Sequence, residues 1–361
     1  MVSLVKVAQI AAVAAFLPKD RLDNKTLVAA FPKWTEEKIE RKLGIVERPI
    51  AARDETALDL GAAAARRLFD AGLARPNDVD FLVFCTQSPD YFLPSSACIL
   101  QDRLGLPLHC GAFDVNLGCS GFVYGLGVCK GLLESGQARK VLFITAETYT
   151  KYVNKRDSVS RPIFGDGAAA TLVELSEEDY ASNDVFDGAP TFGPFEYGSD
   201  GAGAKLLIVE AGAARMPKSH DAAVEKIDLG GNWRSQEQLY MNGAGVFDFS
   251  INVVPPLVKR FEELARRRNL TIDTYVLHQA NKFMLDRLRD LCEIDENKFY
   301  NNCATRGNTV SSTIPIALID AMRDKMIAPG SLALFCGFGV GLSWGACLAR
   351  LPETFRVAPL D

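Results

Sequence analysis

The sequence of 361 residues has no paired CxxC spacing of the kind a structural zinc site needs. Its nine cysteines, at 85, 98, 110, 119, 129, 292, 303, 336 and 347, are odd in number and scattered, so they read as reduced thiols of a cytoplasmic protein rather than a disulfide framework. An excess of charge of one sign is missing as well. With 40 Lys plus Arg against 45 Asp plus Glu, the net charge of -5 gives no global field for nucleic acid or an anionic membrane surface, and an anionic partner must meet a local basic patch. No stretch reaches the roughly eighteen continuous apolar residues of a membrane span. The apolar residues 4–15 carry a single lysine and fit a buried strand better than a signal peptide. Histidine is scarce, at 109, 220 and 278 only, and no His/Cys/carboxylate cluster has metal-ligand spacing. Neither a GxxxxGK motif nor a dinucleotide fingerprint opens a strand-turn-helix unit, which disfavours nicotinamide chemistry and nucleotide hydrolysis. No metal and no resident cofactor are expected.

What is present is an ordinary globular composition, 48% hydrophobic and 24% charged, in a chain long enough for about two to three domains. Much of that chain is written twice. A helical segment at 56–71 leads through Pro76-Asn77-Asp78 into the strand-like VDFLVFCTQS at 79–88; a second at 257–268 leads through Asn269-Leu270-Thr271 into IDTYVLHQAN at 272–281. Residues 113–147 then read as loop, helix, turn and strand, and so do residues 300–338, with both helices expected to end at a glycine, Gly136 and Gly330. Finally Phe164-Gly165-Asp166-Gly167 precedes AAATLVEL, and Phe338-Gly339-Val340-Gly341 precedes WGACLARL. Alternating strand and helix patterns, duplicated, predict an α/β protein of two related halves packed face to face. The strands are continuous apolar runs, as strands covered on both faces are. Residues 120–133 are apolar nearly all round, as a buried central helix is. The expected organisation is 1–175 as the first half, 176–234 as a connection and cap with one strand candidate at 204–212, and 235–361 as the second half.

The repeat brings corresponding positions together near a pseudo-twofold axis. Cys119 opens the central helix of the first half, Asn308 holds the matching place in the second, and His278 follows a strand. A free cysteine is usually a small buried hydrophobe. Here, flanking glycines permit a sharp turn, and a helix N-terminus favours a thiolate, so Cys119 is a candidate nucleophile. His278 alone among the three histidines ends a buried strand, where α/β ligand sites gather, although such a residue is often just a satisfied core histidine. Asn308 fits a helix cap and equally a hydrogen-bond donor to a developing anion. Backbone N–H groups of Cys119 and of the loop at Val340 are candidates for an oxyanion hole. On these residues alone, a cysteine hydrolase stays open.

VNLGCSGFVYGL (115–126), FGDGAAATL (164–172), HQAN (278–281), RGNTVSSTIPIAL (306–318) and FGVGLSWGACL (338–348) together resemble the β-ketoacyl-acyl-carrier-protein synthase III family of thiolase-fold condensing enzymes. The similarity runs from LGIVERPIA (43–51) to Leu348. Thiolases place a second catalytic cysteine near Phe338, where Cys336 is out of register. The GFGPG loop of plant-type polyketide synthases is not matched at 337–341, and the glutamate of hydroxymethylglutaryl-CoA synthases is not evident near Cys85 to Tyr91. The resemblance implies a five-layer α-β-α-β-α arrangement, a homodimer, and a catalytic set of Cys119, His278 and Asn308. It implies a decarboxylating condensation through acyl-Cys119 that starts a fatty-acid-type chain, with substrates carried as coenzyme A or phosphopantetheine thioesters and acyl carrier protein as partner. A specialised homologue that loads an unusual acyl group or forms an ester is the first alternative, and a noncatalytic subunit a more remote one.

By the same resemblance, Phe338 walls the malonyl site, Phe92 and Leu93 close the acyl pocket across the dimer, and Gln279, Ala280, Asn281, Lys282 and Phe283 meet the carrier protein. Arg41, Lys42, Arg287 and Arg289 would extend that basic patch. Two departures stand out. Lys38 takes the place of a tryptophan that stacks on adenine in relatives, with Trp34 one turn upstream. Phe283 takes the place of an arginine that docks the carrier.

Overall fold

Alternation along each strand decides the layering. In the computed structural model, which describes residues 4–31, 33–228 and 230–360, Val83, Val141 and Phe143 point to one face of the first sheet and pack on Phe122 and Leu126 of the helix Gly121–Glu134. Their neighbours Leu82, Phe84, Leu142 and Ile144 point to the other face and pack on the helix Ala57–Asp70. The second sheet repeats the scheme. Ala333 and Phe335 join the central cluster with Ile316 and Ala317 of the helix Thr313–Arg323, whereas Leu334, Cys336 and Phe338 face Leu257 and Phe261 of the outer helix Gly243–Arg267. Period-two side chains on strands buried on both faces thus give five layers, helix, sheet, helices, sheet, helix.

The duplication holds at the level of strand pairing. In the first sheet Phe81–Cys85 runs parallel to Lys140–Glu147, which is antiparallel to Gly167–Leu175, itself antiparallel to Ala8–Phe16. In the second, Thr274–Leu277 runs parallel to Leu332–Gly339, antiparallel to Ser343–Arg350, and then to Phe192–Ser199. The first sheet adds Gly111–Val115 at one edge and Arg356–Val357 at the other. The apolar residues 4–15 supply much of the buried strand Ala8–Phe16, in line with the expected strand. Among the described residues no helix is long and apolar enough to cross a membrane.

Several boundaries differ from those expected. The segment 176–234 is not only a connection: it supplies Phe192–Ser199, so the second sheet begins well before residue 235, while Arg356–Val357 returns to the first. This strand, FGPFEYGS, is an edge with much of its length partly exposed, and it lacks the apolar run that marks central strands. The strand candidate at 204–212 shrinks to Leu207–Ile208, because the 3-10 turn Gly201–Leu206, capped by Asp200, occupies its start. The helix expected at 257–268 begins at Gly243, with Pro255 and Pro256 inside it, and the prolines masked its periodicity. Gly136 does follow the first central helix, at φ 76, but the second stops at Arg323, where Lys325 takes the left-handed conformation at φ 60, and Gly330 serves a later turn.

Phe122 is the keystone of the middle layer. It is fully buried between Phe143 of one sheet, ring centroids 5.8 Å apart, and Phe335 of the other, 5.9 Å away. Phe122→Ala leaves an unfilled space between two rigid sheets, and the expected loss is about 3–5 kcal/mol of unfolding free energy by denaturant titration. A loss below about 1 kcal/mol would show that the sheets close over the gap.

Candidate active site

Three loops converge where the two halves meet. Cys119 sits in the turn before the helix Gly121–Glu134, two residues ahead of its first residue, with the Gly121 N–H donating to the Gly118 carbonyl at 2.8 Å. The turn admits little bulk. A Cβ on Gly337 would stand 2.8 Å from the Cys119 carbonyl oxygen, and one on Gly339, at φ 152, would stand 2.7 Å from the Cys119 sulfur. The strand-turn Gly339-Val340 therefore passes directly over the thiol, and its glycine is required there. Hydroxyls fix the crossing: Ser343 Oγ donates to the Val340 carbonyl at 2.8 Å and lies 2.8 Å from Ser120 Oγ. In this arrangement the Val340 N–H faces the Cys119 sulfur.

Burial dominates the thiol. Cys119 is 5% exposed, and desolvation pushes its pKa up to about 12, with the buried Glu147 carboxyl adding to the rise and the Val340 N–H opposing it. The expected help from the helix N-terminus does not overcome this, so the resting group is the neutral thiol.

His278 follows the strand Thr274–Leu277 and is buried, with its backbone N–H on the Cys336 carbonyl at 2.8 Å. Its Nδ1 lies 2.7 Å from Thr313 Oγ1, whose hydroxyl is in turn 3.0 Å from the Val310 carbonyl. Desolvation pushes the imidazole down to about 3, so the ring is neutral. The tautomer follows the Thr313 hydroxyl. When that hydroxyl donates to Val310, Nδ1 carries the proton and Nε2 is bare; when it turns to donate to Nδ1, Nε2–H becomes a donor.

Asn308 completes the group. Its Oδ1 accepts from the Val310 N–H at 2.9 Å, which leaves Nδ2 3.4 Å from His278 Nε2. Val310 itself is held at φ 56, a costly conformation for a β-branched residue and of the kind that collects at functional sites. Asn308 does not cap the following helix; Ser312 occupies the cap position of Thr313–Arg323.

Cys119, His278 and Asn308 line one cavity of about 80 Å³, together with Phe164, Met241, Met284, Phe338 and Gly339. Phe338 is buried and its ring meets the His278 ring edge-on, centroids 5.6 Å apart. Behind Cys119 lies an apolar cluster with Tyr149, Val153, Leu207 and Leu239, and the Tyr149 hydroxyl donates to Gln87 Oε1 at 2.8 Å. The nucleophile thus comes from the first half and both nitrogens from the second.

Other expected residues lie elsewhere. Phe92 and Leu93 are 83% and 82% exposed and take no part in this cavity within one chain. Gln279 is buried, its Nε2 donating to the Leu277 carbonyl at 2.7 Å and its Oε1 accepting from the Asn302 N–H at 3.0 Å, so it offers nothing to a surface partner. Ala280 and Asn281 line the cavity instead, and the Asn281 side chain caps the helix Lys282–Cys292. Gln279 and Ala280 are therefore corrected from surface contacts to interior positions, because the chain turns inward after the strand, and Asn281 is half-buried at the cavity. Only Lys282 and Phe283 remain outward, Lys282 paired with Asp286 at 2.5 Å and Phe283 stacked on Phe247. Trp34 faces the ammonium groups of Lys38 and Lys42, at 5.0 and 5.6 Å from the ring centroid. Thr313 and Glu147 escaped the sequence reading. Their signal was there in the hydroxyl run Ser311-Ser312-Thr313 at the start of an apolar helix, and in a glutamate closing the apolar strand Lys140–Glu147.

Residues 113–187 match the family model described as 3-oxoacyl-[acyl-carrier-protein (ACP)] synthase III, and residues 265–351 match its C-terminal model. The beta-ketoacyl-[acyl-carrier-protein] synthase III of Caldanaerobacter subterraneus subsp. tengcongensis is 34% identical over 349 residues, covering 95% of this chain and 97% of its own. A 2.1 Å crystal structure of a 3-oxoacyl-(acyl-carrier-protein) synthase III superposes with a TM-score of 0.90 at 50% identity, covering 96% of this chain and all of the other. The priming beta-ketosynthase from the R1128 polyketide biosynthetic pathway superposes at 0.81 with 29% identity, over 97% of each chain.

The electrostatics of the site are open to measurement. His278 holds its pKa near 3, below the ordinary 6.5, so between those values the unfolded chain binds a proton that the folded one refuses, and the histidine's contribution to stability is lost as pH falls through that window. The His278 ring resonances are expected to stay at the neutral-imidazole position from about pH 5 to 8. A titration with a midpoint near 6.5 would contradict this account of the ring.

Proposed function

The chain belongs to the β-ketoacyl-[acyl-carrier-protein] synthase III family, and from that premise we propose how its residues divide the work of the decarboxylating condensation that starts a fatty-acid-type chain. The observation that carries the reading is the single cavity in which the thiol of one half faces the imidazole and amide of the other. Family members use an acyl thioester primer and a malonyl group on acyl carrier protein.

In the first half-reaction, Cys119 Sγ bonds to the primer carbonyl carbon as the bond to the carrier sulfur breaks, and the thiol proton ends on the departing carrier thiol. The N–H groups of Cys119 and Val340 hold the tetrahedral oxyanion. An initially neutral thiol suits this exchange, because the charge forms only as those donors engage it.

In the second, the malonyl thioester oxygen takes the place between Asn308 Nδ2 and His278 Nε2. The bond to the carboxylate breaks, carbon dioxide leaves, and its electron pair becomes the enolate that the two donors stabilise. Thr313 serves this step by donating to Nδ1, the hydrogen bond that goes with the tautomer carrying its proton on Nε2. A nearby imidazolium would also have to be charged in an apolar cavity, and burial forbids it. The enolate carbon then bonds to the acyl carbonyl of Cys119, the carbon–sulfur bond breaks, and the released thiolate takes a proton from solvent. The buried Phe338 ring narrows the malonyl site and disfavours the charged carboxylate there, which favours its loss.

The working unit we propose is a homodimer. Gly111–Val115 lies at the outer edge of the first sheet, partly exposed along its whole length, and Tyr91, Phe92, Leu93 and Leu108 expose apolar surface near the same end of the chain. A second copy pairing along that edge would cover both and bring Phe92 and Leu93 to the neighbouring acyl pocket. Acyl carrier protein would dock at Lys282 and Phe283. No cofactor beyond the thioester carriers is required by this chemistry.

The discriminating assay presents a panel of acyl-coenzyme A and acyl-carrier thioesters, reads Cys119 acylation by intact mass, then adds malonyl carrier protein. One or more primers should label Cys119 and give a β-ketoacyl product; folded protein that forms no adduct with any primer would overturn the reading. His278→Ala and Asn308→Ala are expected to lower carbon dioxide release by about 100-fold or more while slowing acylation by less than about 10-fold. Equal losses in both steps would contradict the division of labour, and condensation by Cys119→Ser would displace the nucleophile.

A further inference from the structure

One buried ionisable group has no part in the chemistry above. Glu147 ends the strand Lys140–Glu147 and is fully buried. Among the described residues no cation pairs with it. Its carboxyl is instead met by donors alone: the Gln87 backbone N–H at 3.1 and 3.2 Å, the Ser88 hydroxyl at 2.8 Å and the Ser311 hydroxyl at 2.9 Å. Such a cradle suits a group that only accepts. Burial pushes the carboxyl up to about 8 while these donors pull it back. Its negative charge also hinders ionisation of Cys119, so it does not serve the nucleophile.

The donors point to a different role. Gln87 and Ser88 belong to the first half, Ser311 to the second, and Ser311 follows directly on Val310. That residue is held at φ 56 and its N–H fixes Asn308 Oδ1 at 2.9 Å, which aims Nδ2 at His278. A β-branched residue stays left-handed only if its surroundings hold it there. The other side-chain ties from this turn to the first half run from Ser312 Oγ, to Thr145 Oγ1 at 3.0 Å and to the Gly167 carbonyl at 3.3 Å, and join neutral groups. Glu147 is the broader anchor, because the same carboxyl that accepts from Ser311 is fixed by the Gln87 N–H and the Ser88 hydroxyl of the first half.

We propose that Glu147 is the positioning residue for Asn308, holding its strained turn across the junction of the two halves through the Ser311 hydroxyl. The inference rests on the condensing reading of the site for its kinetic consequence, but not for its structural one. Glu147 affects enolate formation without touching the substrate, and the acylation step, which does not use Asn308, is spared.

The test uses the full-length protein with Glu147→Gln, Ser311→Ala and both together. Glutamine keeps the size of the side chain but turns one acceptor into a donor, and Ser311→Ala removes only the link to the turn. Acyl transfer to Cys119 is read by intact mass, carbon dioxide release from malonyl carrier protein by the pre-acylated enzyme, and the turn itself by crystallography. Each single variant should release carbon dioxide about 10-fold or more slowly, with acylation within about 3-fold of the parent. The double variant should be no worse than the more impaired single, because both act through one link. In both single variants Val310 should leave the left-handed conformation or Asn308 Nδ2 should turn from His278. Decarboxylation within about 3-fold of the parent, equal loss in both half-reactions, or additive losses in the double variant would overturn the proposal. A parent enzyme that releases no carbon dioxide would count against the condensing reading alone. The crystallographic arm would still decide the positioning claim, and an unmoved Val310 and Asn308 in both variants would refute it.

Discussion

Asn308 Nδ2 stands 3.4 Å from His278 Nε2 only because Val310, a β-branched residue, is kept in a left-handed conformation that its own chemistry resists. Much of the surrounding architecture serves to hold that contact. The turn is tied by side-chain hydroxyls to Glu147 and Thr145 and by backbone bonds to the loop at Ile163 and Gly165. Those partners all belong to the first half. A single half therefore cannot make the site: one supplies the thiol and the anchoring groups, the other the two nitrogens. Duplication followed by face-to-face packing places the two loop ends together, and the strained turn is what gives the amide its direction.

The same burial that makes the site rigid sets its protonation states. Removed from water, the thiol and the imidazole are both driven to their neutral forms, Cys119 upward and His278 downward. A thiolate–imidazolium pair, the arrangement of many cysteine hydrolases, is thereby disfavoured before substrate arrives. Neutral donors suit a reaction whose carbanion comes from loss of carbon dioxide, since no base has to remove a proton from carbon. The Thr313 hydroxyl favours one ring tautomer or the other according to whether it donates to the Val310 carbonyl or to Nδ1.

The layering and the meeting of Cys119, His278 and Asn308 in one cavity were legible from sequence for separate reasons. Continuous apolar strands, a nearly all-apolar helix and the order of repeated segments predicted two packed halves, with Cys119 and Asn308 at matching places of the repeat and His278 at the end of a strand. Illegible features had separate causes. Phe192–Ser199 is an edge strand with no apolar run, and Pro255 and Pro256 obscured a long helix. The resemblance placed Gln279 at a carrier-protein surface, yet it is satisfied by Leu277 and Asn302 inside. The resting charge of Cys119 was also beyond sequence, because a helix terminus is visible in a motif and desolvation is not.

In the proposed reaction, acyl-Cys119 is discharged by a carbanion formed in the same cavity. A single-turnover experiment tests it most directly: protein bearing a stoichiometric acyl group on Cys119 is freed of primer and mixed with malonyl carrier protein. Loss of the adduct, release of carbon dioxide and formation of β-ketoacyl carrier protein should proceed together, one to one to one. Loss of the adduct as free acid, with no carbon–carbon bond formed, would contradict the account and return the site to cysteine hydrolase chemistry.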